Sequence, residues 1–470
     1  MHDQVEALKW VQRFISGFGG NKDNVTIMGE SAGAMACFLH YVSPLSKGLF
    51  HKVIALSGSA STPFLHNDRE PRIYARGLAK SLGLNENDSP EKLVEQLQTF
   101  SGKELMKKTM LFKDWDNSSP LPWKPVIDAY ARKPFMPKSF EESIKAGSFD
   151  NKIPILSGTM GEEGLIVTAP FYKSKKRWKI FFRQWEKWAP QLFFNRETEL
   201  ITENDVIAAN RLLECVYPNI NASKTTSGED NNKHDEAKEF IEDEKAILMN
   251  QTSQNSNEYS IKREDDIPQF TDENIKKVEE IITTGWFHSP LVNDLERLIN
   301  EGVTAYAFKF CYRGSFSIVD IFRLSTLKMG MNLGGRLVGL KLFKKKLGAC
   351  HSDDLVYIFP MKLLPKPLST ELDVRISSIL TSYITNFAKC GKPIPNQNDN
   401  PDNTTSAIQW TSLKSTNEDI LVFDKDGNIA VTKDKDEERN KFWNGVTNQN
   451  PFSISHIPIT SLYTKIAEFR

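Results

Sequence analysis

The sequence lacks net charge. Lysine plus arginine and aspartate plus glutamate each number 60 in 470 residues. Neither the basic excess that tracks along nucleic acid nor the acidic excess of a solvating protein is present, so nucleic acid is not an expected partner. Cysteine is scarce. The five, Cys37, Cys215, Cys311, Cys350 and Cys390, form no C-x-x-C pair and no Cys/His cluster. That excludes a dense disulfide framework and a zinc site of the usual spacing, and no metal or cofactor is expected. Apolar runs long enough to span a bilayer are missing as well. Met1-His2-Asp3-Gln4 is not followed by the apolar stretch of a signal peptide. Sequons at Asn87, Asn117, Asn221, Asn250 and Asn403 hint at a secretory parent, and location stays unassigned.

What is present is concentrated in one short stretch. Gly29-Glu30-Ser31-Ala32-Gly33 reads G-x-S-x-G. It follows the β-branched run Val25-Thr26-Ile27-Met28 and precedes the small-then-apolar run Ala34-Met35-Ala36-Cys37-Phe38-Leu39. Strand, sharp turn and helix in that order are the context in which a serine becomes a nucleophile. Gly29 and Gly33 are expected to flank the serine because bulkier neighbours would clash. The N-terminus of the following helix would stabilise an oxyanion.

Other elements alternate along the chain. Residues 3–16 predict an amphipathic helix, with Val5, Leu8, Val11 and Ile15 on one face and Gly17 and Gly19-Gly20 as its stop. Short strands are expected at 53–56, at 153–156 (ended by Ser157-Gly158) and at 303–310. Ser89-Pro90 opens a helix through Leu97, and a second helix spans 371–388 with Gly391 as its stop. Strands alternating with helices at long spacing predict an α/β fold: a mostly parallel sheet with helices on both faces. Residues 222–275 are polar, with a possible short helix at 235–249, and read as a solvated insertion. A lid over the active site is the alternative. Residues 393–407 read as a polar surface loop.

A serine hydroxyl needs a base, and the base needs a carboxylate. In elbow hydrolases the chain order is serine, acid, histidine. The acid candidates lie in Gly158-Thr159-Met160-Gly161-Glu162-Glu163-Gly164-Leu165, just past a predicted strand. The histidine candidate is His351, in Ala349-Cys350-His351-Ser352-Asp353-Asp354. His288 is its rival; His2, His66, His234 and His456 lie in polar or terminal stretches, and His40 and His51 precede the acid.

The chain resembles the type-B carboxylesterase/cholinesterase family of α/β-hydrolases, and most of all arthropod carboxylesterases. The resemblance runs through Asp3-Gln4, Ala7 to Gln12, Phe18-Gly19-Gly20, Asn24-Val25-Thr26 and the elbow. It continues through Ser43 to Phe50, Leu56 to Ser59, Pro122 to Asp128, Glu162-Glu163-Gly164, His351 to Leu355, Thr385 to Lys389 and Phe442-Trp443. It implies Ser31 as nucleophile, Glu163 as acid (Glu162 as the fallback), His351 as base, and the Ala32 N–H as one oxyanion donor. The implied substrate is a small carboxylic ester, with Trp123, Phe135 and Phe310 as candidate pocket walls. The alternatives are a non-catalytic adhesion or binding protein, relatives of which usually lose a triad member, and an ester-sequestering protein, which shares the same serine.

Three departures stand out. The separation between Glu163 and His351 is long for the family, and the polar insertion would account for the excess. Leu84 and Gln96 occupy the places where the family carries a disulfide loop. No His-Gly-Gly loop precedes the elbow. The expectation is therefore one α/β-hydrolase domain over residues 1–446, truncated on its N-terminal side, then a tail, 447–470. Its serine-bearing strand should lie at a sheet edge and its activity should be weak.

Overall fold

The computed structural model describes residues 1–65, 71–109, 123–194, 201–217, 267–320, 346–360, 368–394, 408–415 and 420–433. The centre of the insertion, the possible helix at 235–249, most of the 393–407 loop, Trp443 and the 447–470 tail lie outside the described residues. So do His66, His234, His456 and the sequons at Asn117, Asn221, Asn250 and Asn403.

Among the described residues six strands form one sheet in sequence order: β1 (Thr26–Glu30), β2 (Lys52–Leu56), β3 (Ile155–Met160), β4 (Ala305–Phe310), β5 (Ile420–Phe423) and β6 (Ile429–Thr432). Neighbours from β1 to β5 are parallel, and β6 returns antiparallel to β5. Parallel strands buried on both faces read as nearly continuous apolar runs, which is the pattern of Lys52-Val53-Ile54-Ala55-Leu56. The expected strand at 153–156 starts later and runs further: Ser157 and Gly158 lie inside β3. Gly158 fits there because a Cβ would stand 2.3 Å from the Phe308 ring on β4, so the residue read as a stop is a close-packing site.

Alternate residues of each strand feed two cores. On one face Val53, Ala55, Ile155, Ala305 and Ala307 pack under α1 (His2–Phe14), α2 (Ala32–Val42) and the helix Ser289–Asn300. On the other, Ile54, Leu56, Leu156, Tyr306, Phe308 and Phe310 pack under the helices Asp353–Ile358 and Glu371–Cys390. Helices thus cover both faces. The last of them is capped as its sequence specifies. Thr370 and Asp373 make a capping box, and Gly391 takes the left-handed conformation at φ +76°. α1 ends earlier than expected, at Phe14, and continues as a 3-10 turn over Ile15–Phe18 before Gly19 reverses the chain.

A third cluster is built by helices alone. Trp178, Phe181, Phe182, Trp185, Trp188 and Phe193 pack against Ile275, Val278 and Phe287. Its far side is the helix Asp272–Ile282, running directly into a π-helical turn, Thr283–His288. The polar insertion therefore ends sooner than its composition suggests: Ile275 is buried, and helical packing has resumed. Phe135 and Phe310 are core residues rather than pocket walls. Phe135 packs on His40, and Phe310 on Tyr357 and Phe423. Trp123 packs on Tyr74 at a partly exposed surface. Among the described residues no helix is long and apolar enough to cross a membrane.

Candidate active site

β1 delivers the chain to Ser31, and α2 leaves from Ala32. Between them Ser31 adopts φ +55° and ψ −120°, a conformation that L-residues avoid unless the surroundings impose it. Those surroundings are backbone. The Ser31 N–H donates to the Leu56 carbonyl at 2.8 Å, and the Ser31 carbonyl accepts from Met35 N–H at 3.0 Å. Gly29 lets the two arms of the turn touch: a Cβ there would stand 2.1 Å from the Gly33 carbonyl carbon. Gly33 differs from expectation. A Cβ on Gly33 meets nothing within 4 Å, so its own side chain is not what the turn excludes. Its carbonyl is the surface against which Gly29 packs. Ala32 N–H, first in α2 and next to Ser31, has no intrahelical partner by position.

The acid arrives from β3. Past Met160 the chain turns, and Glu163, fully buried, folds back so that its Oε1 accepts from Met160 N–H at 2.8 Å. Its Oε2 lies 2.6 Å from His351 Nδ1. The base sits in the loop before the helix Asp353–Ile358, with Ser352 in the left-handed region at φ +69°. His351 Nε2 lies 2.8 Å from Ser31 Oγ. With Nδ1–H donating to Glu163, Nε2 carries the lone pair and accepts a hydrogen bond from the Ser31 hydroxyl. The structure thus brings Ser31, His351 and Glu163 into one hydrogen-bonded chain. Glu162 points elsewhere, accepting from Gly348 N–H at 3.0 Å. The other described histidines are differently employed. His40 bonds Ser46 and Gln4, His51 accepts from Val25 N–H, and His288 closes the buried π-helical turn.

Two neighbours escaped sequence reading. Glu30 Oε1 stands 3.2 Å from His351 Nε2 and accepts from the Ser352 hydroxyl at 2.7 Å. Its signal was the variable position before the serine, which the motif leaves unspecified. The Phe287 ring lies 4.7 Å from the imidazole, centroid to centroid, brought there by a π-helical turn with no short sequence signature.

Burial and charge compete at this site. Burial pulls the His351 pKa down, but the Glu163 carboxylate, its hydrogen bond, Glu30 and Asp354 outweigh it, and the net displacement is upward. Glu30 is raised, chiefly by burial, with His351 opposing. Burial also lifts Asp354 far above the carboxylate range, with Glu30 and Glu163 adding to it. Asp353 is pushed up to about 7 by burial, although Ser317, Ile318 N–H and Cys350 N–H all donate to it. Cys350, beside the base, is buried with its thiol held well above the usual range. Like Cys37 and Cys390, it is in no disulfide.

The chain is 34% identical over 209 residues to a carboxylic ester hydrolase of Bombus ignitus, an alignment covering 44% of this chain and 36% of that protein. It is 26% identical over 426 residues to juvenile hormone esterase of Tribolium castaneum, covering 88% of this chain and 59% of the relative. The matched stretches thus span 36% and 59% of these relatives' length, less than two thirds of either. Among solved structures, juvenile hormone esterase from Manduca sexta, with OTFP covalently attached, superposes with a TM-score of 0.58 at 19% identity, covering 95% of this chain and 69% of the other. That likeness fixes the α/β-hydrolase fold. The sequence profile of the carboxylesterase family matches residues 1–443, and the chain belongs to that family.

Proposed function

We propose that the chain is a carboxylic ester hydrolase working through an acyl-enzyme, with Ser31 as nucleophile, His351 as general base and acid, and Glu163 as the carboxylate that orients the imidazole. The observation that carries this reading is the unbroken chain Glu163–His351–Ser31, with links of 2.6 and 2.8 Å. Ser31 Oγ attacks the ester carbonyl carbon as its proton passes to His351 Nε2. The carbonyl π bond becomes an oxyanion, met by Ala32 N–H. As the oxyanion collapses, the carbon–oxygen bond to the alcohol breaks and His351 returns the proton to the leaving alkoxide. Water then attacks the acyl-enzyme with the same proton traffic, releasing the acid and Ser31. Glu163 holds the ring by its Nδ1 and stabilises the imidazolium in both halves.

The proposal includes slow turnover by residues 1–470 alone. The family resemblance implies two glycine donors besides Ala32, and no stretch of the chain reads as a His-Gly-Gly loop. Each missing donor costs on the order of 10²–10³ in rate. The substrate class is carboxylic esters.

The deciding experiment is reaction with a fluorophosphonate probe, followed by peptide mass spectrometry. Modification of Ser31, lost in Ser31→Ala, is the expected result. A folded protein that is not modified, or is modified elsewhere, overturns the reading. One equivalent of alcohol released from an aryl ester, with no turnover afterwards, would assign sequestration instead of hydrolysis.

A further inference from the structure

The turn that carries the acid also grips the loop that carries the base, through a side chain the mechanism does not use. Glu162 makes two contacts with that loop. Its backbone N–H donates to the Ala349 carbonyl at 3.0 Å, and its carboxylate Oε2 accepts from Gly348 N–H at 3.0 Å. Both partners lie within three residues of His351. Gly348 is shaped to this contact: a Cβ there would stand 2.2 Å from the Glu162 carboxyl carbon and 2.3 and 2.4 Å from its oxygens. The side chain is largely shielded, and the Lys425 amine is 3.9 Å away and largely exposed, so that ion pair contributes little. The hydrogen bond to Gly348 is the principal interaction of the carboxylate.

The acid's turn is itself fixed from the other side. Gly164 N–H donates to Thr283 Oγ1 at 2.8 Å, and the Thr283 hydroxyl donates to the Glu279 carboxyl. Glu279 is buried. The turn Gly161–Gly164 therefore cannot slide toward the base loop, and the base loop is referenced to it through Glu162.

We propose that Glu162 is a positioning residue for the base. It pins the backbone of the 348–350 loop to the acid's turn, so that the imidazole keeps simultaneous reach of Glu163 and Ser31. Adjacent acidic residues thus divide two tasks. Glu163 holds the ring, and Glu162 holds the backbone from which the ring hangs. Releasing the backbone lets the ring drift, and misplacement on the scale of 1 Å costs about a hundredfold in rate. The inference rests on the triad reading for its kinetic consequence and on geometry alone for its structural one.

The test uses the full chain and two independent readouts. One is the low-field proton resonance of the Nδ1–H shared between His351 and Glu163, which needs no turnover. The other is the rate of Ser31 phosphonylation by the fluorophosphonate probe. Glu162→Ala is expected to lose or broaden the resonance and to slow phosphonylation by about tenfold to a hundredfold. Glu162→Gln keeps an acceptor oxygen for Gly348 N–H and is expected to retain the resonance and a rate within about threefold. Gly348→Ala, which drives a methyl into the carboxylate, should reproduce the Glu162→Ala loss in the wild-type background. It should add less than about twofold in the Glu162→Ala background. An alanine variant that keeps both resonance and rate, a glutamine variant as impaired as alanine, or fully additive losses in the pair would each overturn the proposal. If Glu162→Ala does not fold, the Gly348→Ala and Glu162→Gln arms decide. Failure of wild-type protein to react at Ser31 would overturn the triad reading, while the resonance still decides the clamp.

Discussion

The two halves of this site are built on different ground. Ser31 follows β1, an outer strand of the described sheet whose five residues are all half-buried. Glu163 follows β3, an inner strand buried at every position, and faces a loop in which Ala349, Cys350 and His351 are buried too. The nucleophile is held by backbone bonds to its immediate neighbourhood, the Leu56 carbonyl and the first turn of α2. The acid and base are held by side chains brought together from distant parts of the chain. Ser31 is half-buried, so part of its surface stays open. Its geometry is secured by main-chain bonds around one strained turn. The acid–base pair is shut away from water, where burial alone would lower the imidazole's pKa, and the Glu163 charge and hydrogen bond, with Glu30 and Asp354, together outweigh it.

The sharpest way to break this contrast is to ask whether the halves act as one unit. Ser31→Ala and His351→Ala are each expected to reduce aryl ester hydrolysis by about 10⁴-fold or more, with the double variant no worse than either. Additive losses would mean that the buried half contributes independently of the open one. Glu163→Gln leaves the shape intact and offers a neutral amide to Nδ1. A loss of about 10²–10⁴ in kcat with KM nearly unchanged is expected in steady-state assays.

A pair of glycine substitutions tests the local construction of the elbow. Gly29→Ala forces a methyl into the Gly33 carbonyl and should destabilise by ~3 kcal/mol in urea unfolding. Gly33→Ala meets open space inside a helix and should stay within ~1 kcal/mol of wild type. Similar losses at both positions would show that the turn depends on the surrounding core after all.

The smallest effect concerns protonation. The proposed mechanism requires a neutral His351, and its pKa is displaced upward. The acid limb of kcat/KM is therefore expected above the ordinary histidine value of about 6.5. Glu30 faces the same nitrogen and favours the charged ring. Glu30→Gln should move that limb to lower pH, read from a pH–rate profile. Movement the other way would assign Glu30 a different part.

The local pieces of this protein were readable in its residues. The elbow is written in five consecutive positions and its flanking runs, because a strained turn is specified by what fits within a few residues of it. The helix Glu371–Cys390 declared both ends, since caps are satisfied by neighbours in sequence. The sheet's parallel character followed from short apolar runs alternating with helices. Other features were set only by packing. Whether Gly158 ended a strand or lay inside one depended on the Phe308 ring of the next strand. Phe135 and Phe310 looked like pocket walls and proved to be core, because composition does not say which face of an element meets the ligand. Glu162 and Glu163 are adjacent and chemically identical, so nothing short of resemblance could rank them from sequence. Tertiary structure separates them by aiming one carboxylate at an imidazole and the other at a backbone N–H. A turn's direction is fixed by the strands and loops on either side of it, and those meet only after the chain has closed on itself.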